Sequence, residues 1–149
     1  MSTFGWQRDV RLGAWSELSD LALPLRMEVF VLEQQVPAEL EHDDEDAHCT
    51  HAVLVSPEGV AVATGRLLAT GKIGRLAVAR AERGRGLGKA VLLRLMAHAR
   101  ECGVQKVWLH AQCDAQAFYE RLGFVAEGEP FMEAGIRHLR MVHDKGEAT

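Results

Sequence analysis

A chain of 149 residues, 48% hydrophobic and 26% charged, has the make-up of one globular domain with room for a real core. No apolar run reaches the roughly 18 residues that cross a bilayer, and Met1 to Val10 lack an apolar signal core, so a cytoplasmic protein with no membrane partner is expected. The net charge of −4 argues against a generally basic nucleic-acid binder, and Cys49, Cys102 and Cys113, odd in number and without paired spacing, argue against disulfides.

In chain order, Trp6 to Leu12 alternates apolar and polar residues as a half-buried strand does. Ser16 to Leu32 reads as a helix with Leu21, Leu25, Val29 and Leu32 on one stripe, and Pro24 must lie in a first turn or kink it. Val36-Pro37 opens a long loop in which Glu39, Glu41, Asp43, Asp44, Glu45 and Asp46 crowd together. A solvated turn and a cation-attracting patch are both open for it. Ala52 to Val55 and Val60 to Leu68 read as strands around Ser56-Pro57-Glu58-Gly59, followed by a strand from Ile73 to Val78. Leu87 to Cys102 is a strongly amphipathic helix that stops at Gly103. Lys106 to Ala111 is a short strand, Asp114 a candidate cap for a helix through Leu122, and strands follow from Phe124 and from Ile136 to Val142. The order predicts an α/β (α+β) fold, one mixed sheet with helices packed on its faces.

Between the Ile73–Val78 strand and the Leu87 helix lies Arg83-Gly84-Arg85-Gly86-Leu87-Gly88-Lys89. Alternating glycines expose backbone N–H groups, and the helix start adds the positive end of its dipole, which together make an anion site. Arg75, Arg80, Arg83, Arg85, Lys89 and Arg94 surround it, opposed in that span only by Glu82. A P-loop would need Lys-Ser/Thr where the chain has Lys89-Ala90, and a dinucleotide loop needs Gly-x-Gly-x-x-Gly. Neither spacing is met.

The spacing that is met is Arg-x-x-Gly-x-Gly, by Arg83, Gly86 and Gly88, after Arg75-Leu76-Ala77-Val78. It resembles the pyrophosphate motif of the GNAT superfamily of acyl-CoA-dependent N-acetyltransferases. Ala117-Phe118-Tyr119-Glu120-Arg121-Leu122-Gly123-Phe124 resembles the segment that follows in those enzymes. Arg26 with Glu28 to Pro37, then Glu41, Asp43 and His51, and Phe131 to Met141, resemble the ElaA-like branch. The resemblance spans nearly the whole chain and implies a single GNAT domain over residues 1–149. It also implies a mostly antiparallel sheet with a splayed central strand pair.

What the resemblance implies chemically is transfer of an acetyl group from acetyl-CoA, as co-substrate and without a metal, to an amine. Leu76, Ala77 and Val78 match the strand that holds the pantetheine arm. Backbone N–H groups of Arg83, Gly84, Arg85, Gly86, Leu87, Gly88 and Lys89 match the diphosphate cradle. The N–H of Val78 stands at the oxyanion position and Tyr119, the chain's only tyrosine, at the general-acid position. The family often carries a strand acid where this chain has Gly74-Arg75, so the base is open between Glu33, His110 and a water held by either. Many relatives have asparagine at the place of His110, and Gln112 beyond it could contact substrate. His42, His48, Cys49 and His51 lie beside the acids, but no spacing there matches a zinc pattern. The expected partner is a small-molecule amine; homodimers are common in the superfamily, which allows one here. An acyl-CoA-binding or regulatory module with this fold and no turnover is the alternative.

Overall fold

The computed structural model describes residues 10–41 and 43–144, so the predicted first strand before Val10, and His42, lie outside the described residues. The strands are β1 (Val10–Gly13), β2 (Thr50–Val55), β3 (Ala61–Leu67), β4 (Lys72–Val78), β5 (Lys106–Gln112), β6 (Val125–Glu133) and β7 (Ile136–Asp144). The helices are α1 (Trp15–Arg26), continued by a π-helix Met27–Glu33, then α2 (Ala38–Glu41), α3 (Leu87–Glu101) and α4 (Gln116–Arg121). The seven strands form one sheet in the order β1-β2-β3-β4-β5-β7-β6. Every pairing is antiparallel except that of β4 with β5.

Both faces of the sheet are covered, which is why β2 reads as a continuous apolar run. Its Ala52 and Leu54 face α3, packed against Val91, Leu92 and Leu95, whereas Val53 and Val55 face α1, beside Leu18, Ala22 and Leu25. Pro24 sits inside α1, in its last turn rather than its first. Burial of Ala22, Leu25 and Val29 holds the helix through the missing N–H, and the chain widens into π geometry three residues on, with Gln34 N–H donating to Val29 O at 3.0 Å. Asp114 is not a cap either; it lies in a 3-10 turn, Cys113–Ala115, and α4 starts without a side-chain cap.

The feature that shapes the site is a bulge in β4. Arg66 pairs with Gly74 and Thr64 with Ala77, so Arg75 and Leu76 stand opposite Gly65 alone. Arg75 takes a left-handed φ of 50°. Gly65 gives the bulge its room: a Cβ there would lie 3.0 Å from both Leu76 Cδ1 and Leu95 Cδ1. On the other side β4 pairs with β5 only through Lys72–Trp108 and Ile73–Leu109, after which the two strands part.

The acidic segment is only partly a solvated turn: Glu39 and Asp44 are exposed, whereas Glu41 and Asp46 are buried and, with Asp43, paired to arginines. Arg26, 1% exposed, donates from Nε to Glu41 Oε2 at 2.7 Å and from both terminal nitrogens to Asp46 at 2.9 and 3.0 Å. Arg66 donates to Asp43 at 2.8 and 2.9 Å and to Asp46 at 2.9 Å. Hydrogen bonds from Arg66 outweigh partial burial and hold the Asp43 carboxyl at about 2. Trp15 lies 5.0 Å under the Arg26 guanidinium, and His51 Nε2 meets Asp46 O at 2.9 Å. Burial of the imidazole keeps the His51 pKa below its usual value.

Removing one partner of such a network strands buried charge. Arg26→Met is expected to lower the free energy of urea unfolding by about 3–5 kcal/mol, since Glu41 would keep only the more exposed Arg75. A loss below about 1 kcal/mol, the scale of an exposed pair, would show that the network does not hold the fold.

Candidate active site

Beyond Ile73, β4 presents its backbone to the gap that faces β5. Val78 stands opposite Ala63, and Ala79 N–H donates to Val62 O at 2.8 Å. Strand alternation therefore turns the Val78 N–H and C=O away from β3 and into the gap. The carbonyl accepts from Arg83 Nε at 3.1 Å. Ala77, by the same alternation, turns its N–H to β3 and buries its side chain under α1.

After a 3-10 turn, Arg80–Glu82, the Arg83 N–H donates to Arg80 O at 3.4 Å, so the row of available donors starts one residue later than expected. Gly84 and Gly86 hold φ of 84° and 78°, which a residue with a Cβ reaches only at a cost. The first backbone bond of α3 runs from Ala90 N–H to Gly86 O at 3.0 Å. Among the described residues, the N–H groups of Gly84, Gly86, Leu87, Gly88 and Lys89 donate to no backbone carbonyl outside that ladder, and no side chain caps them. They form an anion cradle at a helix start. The arginine side chains are committed elsewhere: Arg85 pairs with Glu82 at 3.1 Å, and Arg83 grips Glu33 at 2.7 and 2.8 Å. The Arg83 hydrogen bonds hold the Glu33 carboxyl below its usual range. Glu33 is thus an ionised clasp partner at the end of the π-helix and does not line the cavity described next.

A cavity of about 540 Å³ opens where β4 and β5 part. Leu76, His110, Gln112 and Tyr119 line it, together with Glu133 and His138 from the β6–β7 hairpin. The Tyr119 ring packs edge-on against Phe118 and Phe124 at 5.0 and 5.8 Å. Its hydroxyl makes no hydrogen bond to a described residue, and burial pushes its pKa up to about 12. A neutral phenol with its proton unshared is a proton donor in waiting. His110 Nδ1 lies 3.2 Å from Glu133 Oε2, and Gln112 Nε2 donates to Gln34 Oε1 at 2.9 Å, tying β5 to the end of the π-helix.

Arg75 closes the rim: it donates to Leu40 O and Glu41 O at 3.1 Å and to Asp43 at 3.2 Å. It faces the acidic segment, away from the phosphate cradle among whose charges the sequence groups it. Glu41 Oε1 and Arg66 Nε are buried at this wall without a described partner, which makes that end polar. The structure thus gathers Leu76, His110 and Tyr119 about one cavity, turns the Val78 N–H to the open edge of β4 with Gly88 close to the Val78 side chain, and leaves Glu33 outside the cavity. Glu133, Gln34 and His138 are additions that sequence reasoning did not single out. The hairpin residues lay inside the Phe131–Met141 stretch, but only the β5-β7-β6 register shows which side chains reach the cavity.

Residues 16–145 match the family model described as the acetyltransferase (GNAT) domain, and the chain belongs to that family. It is 36% identical over 127 residues to the uncharacterized N-acetyltransferase YjcF of Bacillus subtilis, covering 83% of this chain and 90% of that one. Among solved structures, an acyl-CoA N-acyltransferase from Pseudomonas aeruginosa superposes with a TM-score of 0.81 at 33% identity, over 91% of this chain and 99% of that one. ElaA of Escherichia coli superposes with a TM-score of 0.82 at 28% identity, over 91% and 99%. The fold is accordingly the GNAT fold, and the protein is an acyltransferase.

The cradle makes unequal demands on its glycines. A Cβ on Gly88 would lie 3.1 Å from Val78 Cγ2, whereas one on Gly84 would meet nothing within 4 Å. Gly88→Val is expected to cost about 1–3 kcal/mol through overpacking, and Gly84→Ala about 1–2 kcal/mol through left-handed strain alone. Thermal unfolding of both variants checks this; a Gly88→Val protein as stable as wild type would mean that α3 does not press on β4.

Proposed function

We propose that the protein transfers an acetyl group from acetyl-CoA to a small-molecule amine by direct attack. Three observations support the reading: a row of bare N–H groups at the start of α3, an edge of β4 left unpaired with β5 beyond Ile73, and an unshared phenol in the cavity where the strands part. N–H groups from Gly84 to Lys89 suit a diphosphate, which is best held by many fixed donors. The edge of β4 at Leu76 and Val78 offers amide-pairing groups to the pantetheine arm, and the cavity beyond takes the acceptor. As co-substrate, acetyl-CoA supplies the activated acyl thioester.

The remaining roles belong to this chain's residues. The Val78 N–H faces the gap and donates to the oxyanion that develops at the acyl carbon. Tyr119 gives its proton to the departing thiolate. Arg83 holds the Val78 carbonyl and Glu33, and so fixes the turn that carries the cradle. Of the two candidate bases, His110 lines the cavity and Glu33 does not.

No described helix is long and apolar enough to cross a membrane, and among the described residues no cluster of His, Cys, Asp and Glu is placed to hold a metal.

Acetyl-CoA at a hundred times its Kd is expected to stabilise the protein by about 2.7 kcal/mol, seen as a raised Tm. Tyr119→Phe should keep that shift and lower kcat by about 10²–10⁴ in a thiol-release assay. No Tm shift in stable protein would overturn the cofactor assignment, and an unchanged kcat would remove Tyr119 as the acid. A normal Tm shift with no thiol release across a broad amine panel would favour a binding module without turnover.

A further inference from the structure

The β6–β7 hairpin brings a carboxylate to the imidazole that lines the cavity. Its turn, Ala134-Gly135, has φ of 51° and 77°, which folds β6 tightly back on β7 and carries Glu133 to the cavity wall. Glu133 Oε2 and Oε1 lie 3.2 and 3.4 Å from His110 Nδ1. A carboxylate only accepts, so Nδ1 carries the hydrogen and neutral His110 keeps its lone pair on Nε2. That Nε2 bonds to no described residue, and it is not sealed from the cavity. Phe131 packs edge-on against the His110 ring at 4.8 Å, and Trp108 flanks it at 5.7 Å, so the ring cannot swing away.

The other carboxylates at this cavity are engaged. Glu41 answers Arg26, Asp43 answers Arg66 and Arg75, and Glu45 approaches Arg66 at 3.5 Å. The charged and titratable groups about His110 are Lys72 from β4, Glu133 from β6, and His138 and Arg140 from β7, with Tyr119 on α4 lining the same cavity. Arg140 lies over Trp108 at 4.1 Å and pairs with Glu127 at 3.0 Å. Burial first, then Lys72, lower the His110 pKa against the pull of Glu133, so the imidazole is neutral at pH 7.

Resting on the acetyl-transfer reading above, we propose that Glu133 is a positioning residue that locks His110 in its Nδ1–H form, leaving Nε2 to deprotonate the acceptor amine. The ammonium N–H bond breaks and its proton passes to Nε2. The freed nitrogen pair attacks the acyl carbon, and the C–S electrons leave with sulfur, which Tyr119 protonates. The acylated nitrogen then gives its remaining extra proton to the Tyr119 phenolate, which leaves a neutral amide and restores the phenol, and the imidazolium, held by Glu133, releases its proton to solvent. The dyad fills the place of the strand acid, which Gly74-Arg75 cannot supply.

Two measurements on the full chain test this. Nitrogen NMR of the imidazoles, with His110 assigned by its loss in His110→Gln, should show the Nδ1–H tautomer. Glu133→Gln, which can donate as well as accept, should mix the tautomers and move the His110 titration to lower pH. An Nε2–H tautomer, or a midpoint unmoved by Glu133→Gln, overturns the proposal. The second is the pH profile of kcat/KM with acetyl-CoA and three probe amines: spermidine, tryptamine and a lysine peptide. Its acid limb should shift down in Glu133→Gln with kcat falling more than KM changes, and His110→Gln should lose about 10²–10⁴ in rate. An unmoved acid limb in Glu133→Gln also overturns it. If no probe is acetylated while the tautomer result holds, the reaction assignment fails; if probes react and the tautomer result fails, the dyad alone does.

Discussion

The bulge at Arg75 is the constraint on which the rest of this structure turns. An extra residue in β4 breaks the ladder to β3, and a side-chain-bearing residue at a φ of 50° stores strain of about 1–3 kcal/mol. That strain persists because the same residue is anchored at its far end. The Arg75 guanidinium is bonded to two carbonyls of the acidic segment and to Asp43. Releasing the bulge would break those bonds and push Leu76 out of the space that Gly65 leaves for it. Above the bulge β4 twists away from β5, and both the gap and the cavity follow from that divergence.

Charge compensation explains why the acidic segment can sit at the mouth of a cavity without unfolding. Burying Glu41 and Asp46 is costly unless they are paired, and the guanidinium forks of Arg26 and Arg66 leave only Glu41 Oε1 of these two carboxylates without a described donor. Arg75 meets Glu41 and Asp43 from the strand side. Composition could not show this. A run of acids looks solvated when the partners of its buried members lie 15 to 34 residues away in sequence, as Arg26 and Arg75 do from Glu41. The arginines misled in the same way: Arg75 was counted with the phosphate loop by proximity in the chain, yet it faces the other wall.

Local signals were legible and long-range register was not. The α3 helix, the turn glycines and the strands on either side of Ser56 carry their own periodicity and punctuation, and they fall within a residue or two of expectation. The glycine row was legible because φ near +80° and bare N–H groups are properties of the residues themselves. Pro24 shows in sequence as a disturbance of the helix, but its place in the last turn of α1, just before the π-helix, is set by burial of the α1 stripe. Asp114 was misjudged because a 3-10 turn moved the helix start beyond it. The pairing of His110 with Glu133, and of Gln112 with Gln34, depends on how β5, β7, β6 and the π-helix assemble. No window of sequence contains either pair.

The glycine loop draws attention as the chemical signature of the chain, but its physics is that of an anchor. Its donors are fixed, its arginine side chains are spent on Glu33 and Glu82, and nothing in it can exchange a proton in the cavity. In the proposed reaction, proton handling falls to Tyr119 and His110, which line one cavity. On α4 burial raises the Tyr119 pKa to about 12 and keeps it a donor; on β5 burial lowers that of His110 and keeps it an acceptor. One low-dielectric wall therefore pushes two groups in opposite directions from neutrality, because one is charged when it loses a proton and the other when it gains one. In the proposed reaction an acid and a base would thus coexist at one cavity without exchanging their proton, the separation that a direct amine attack with thiolate departure requires.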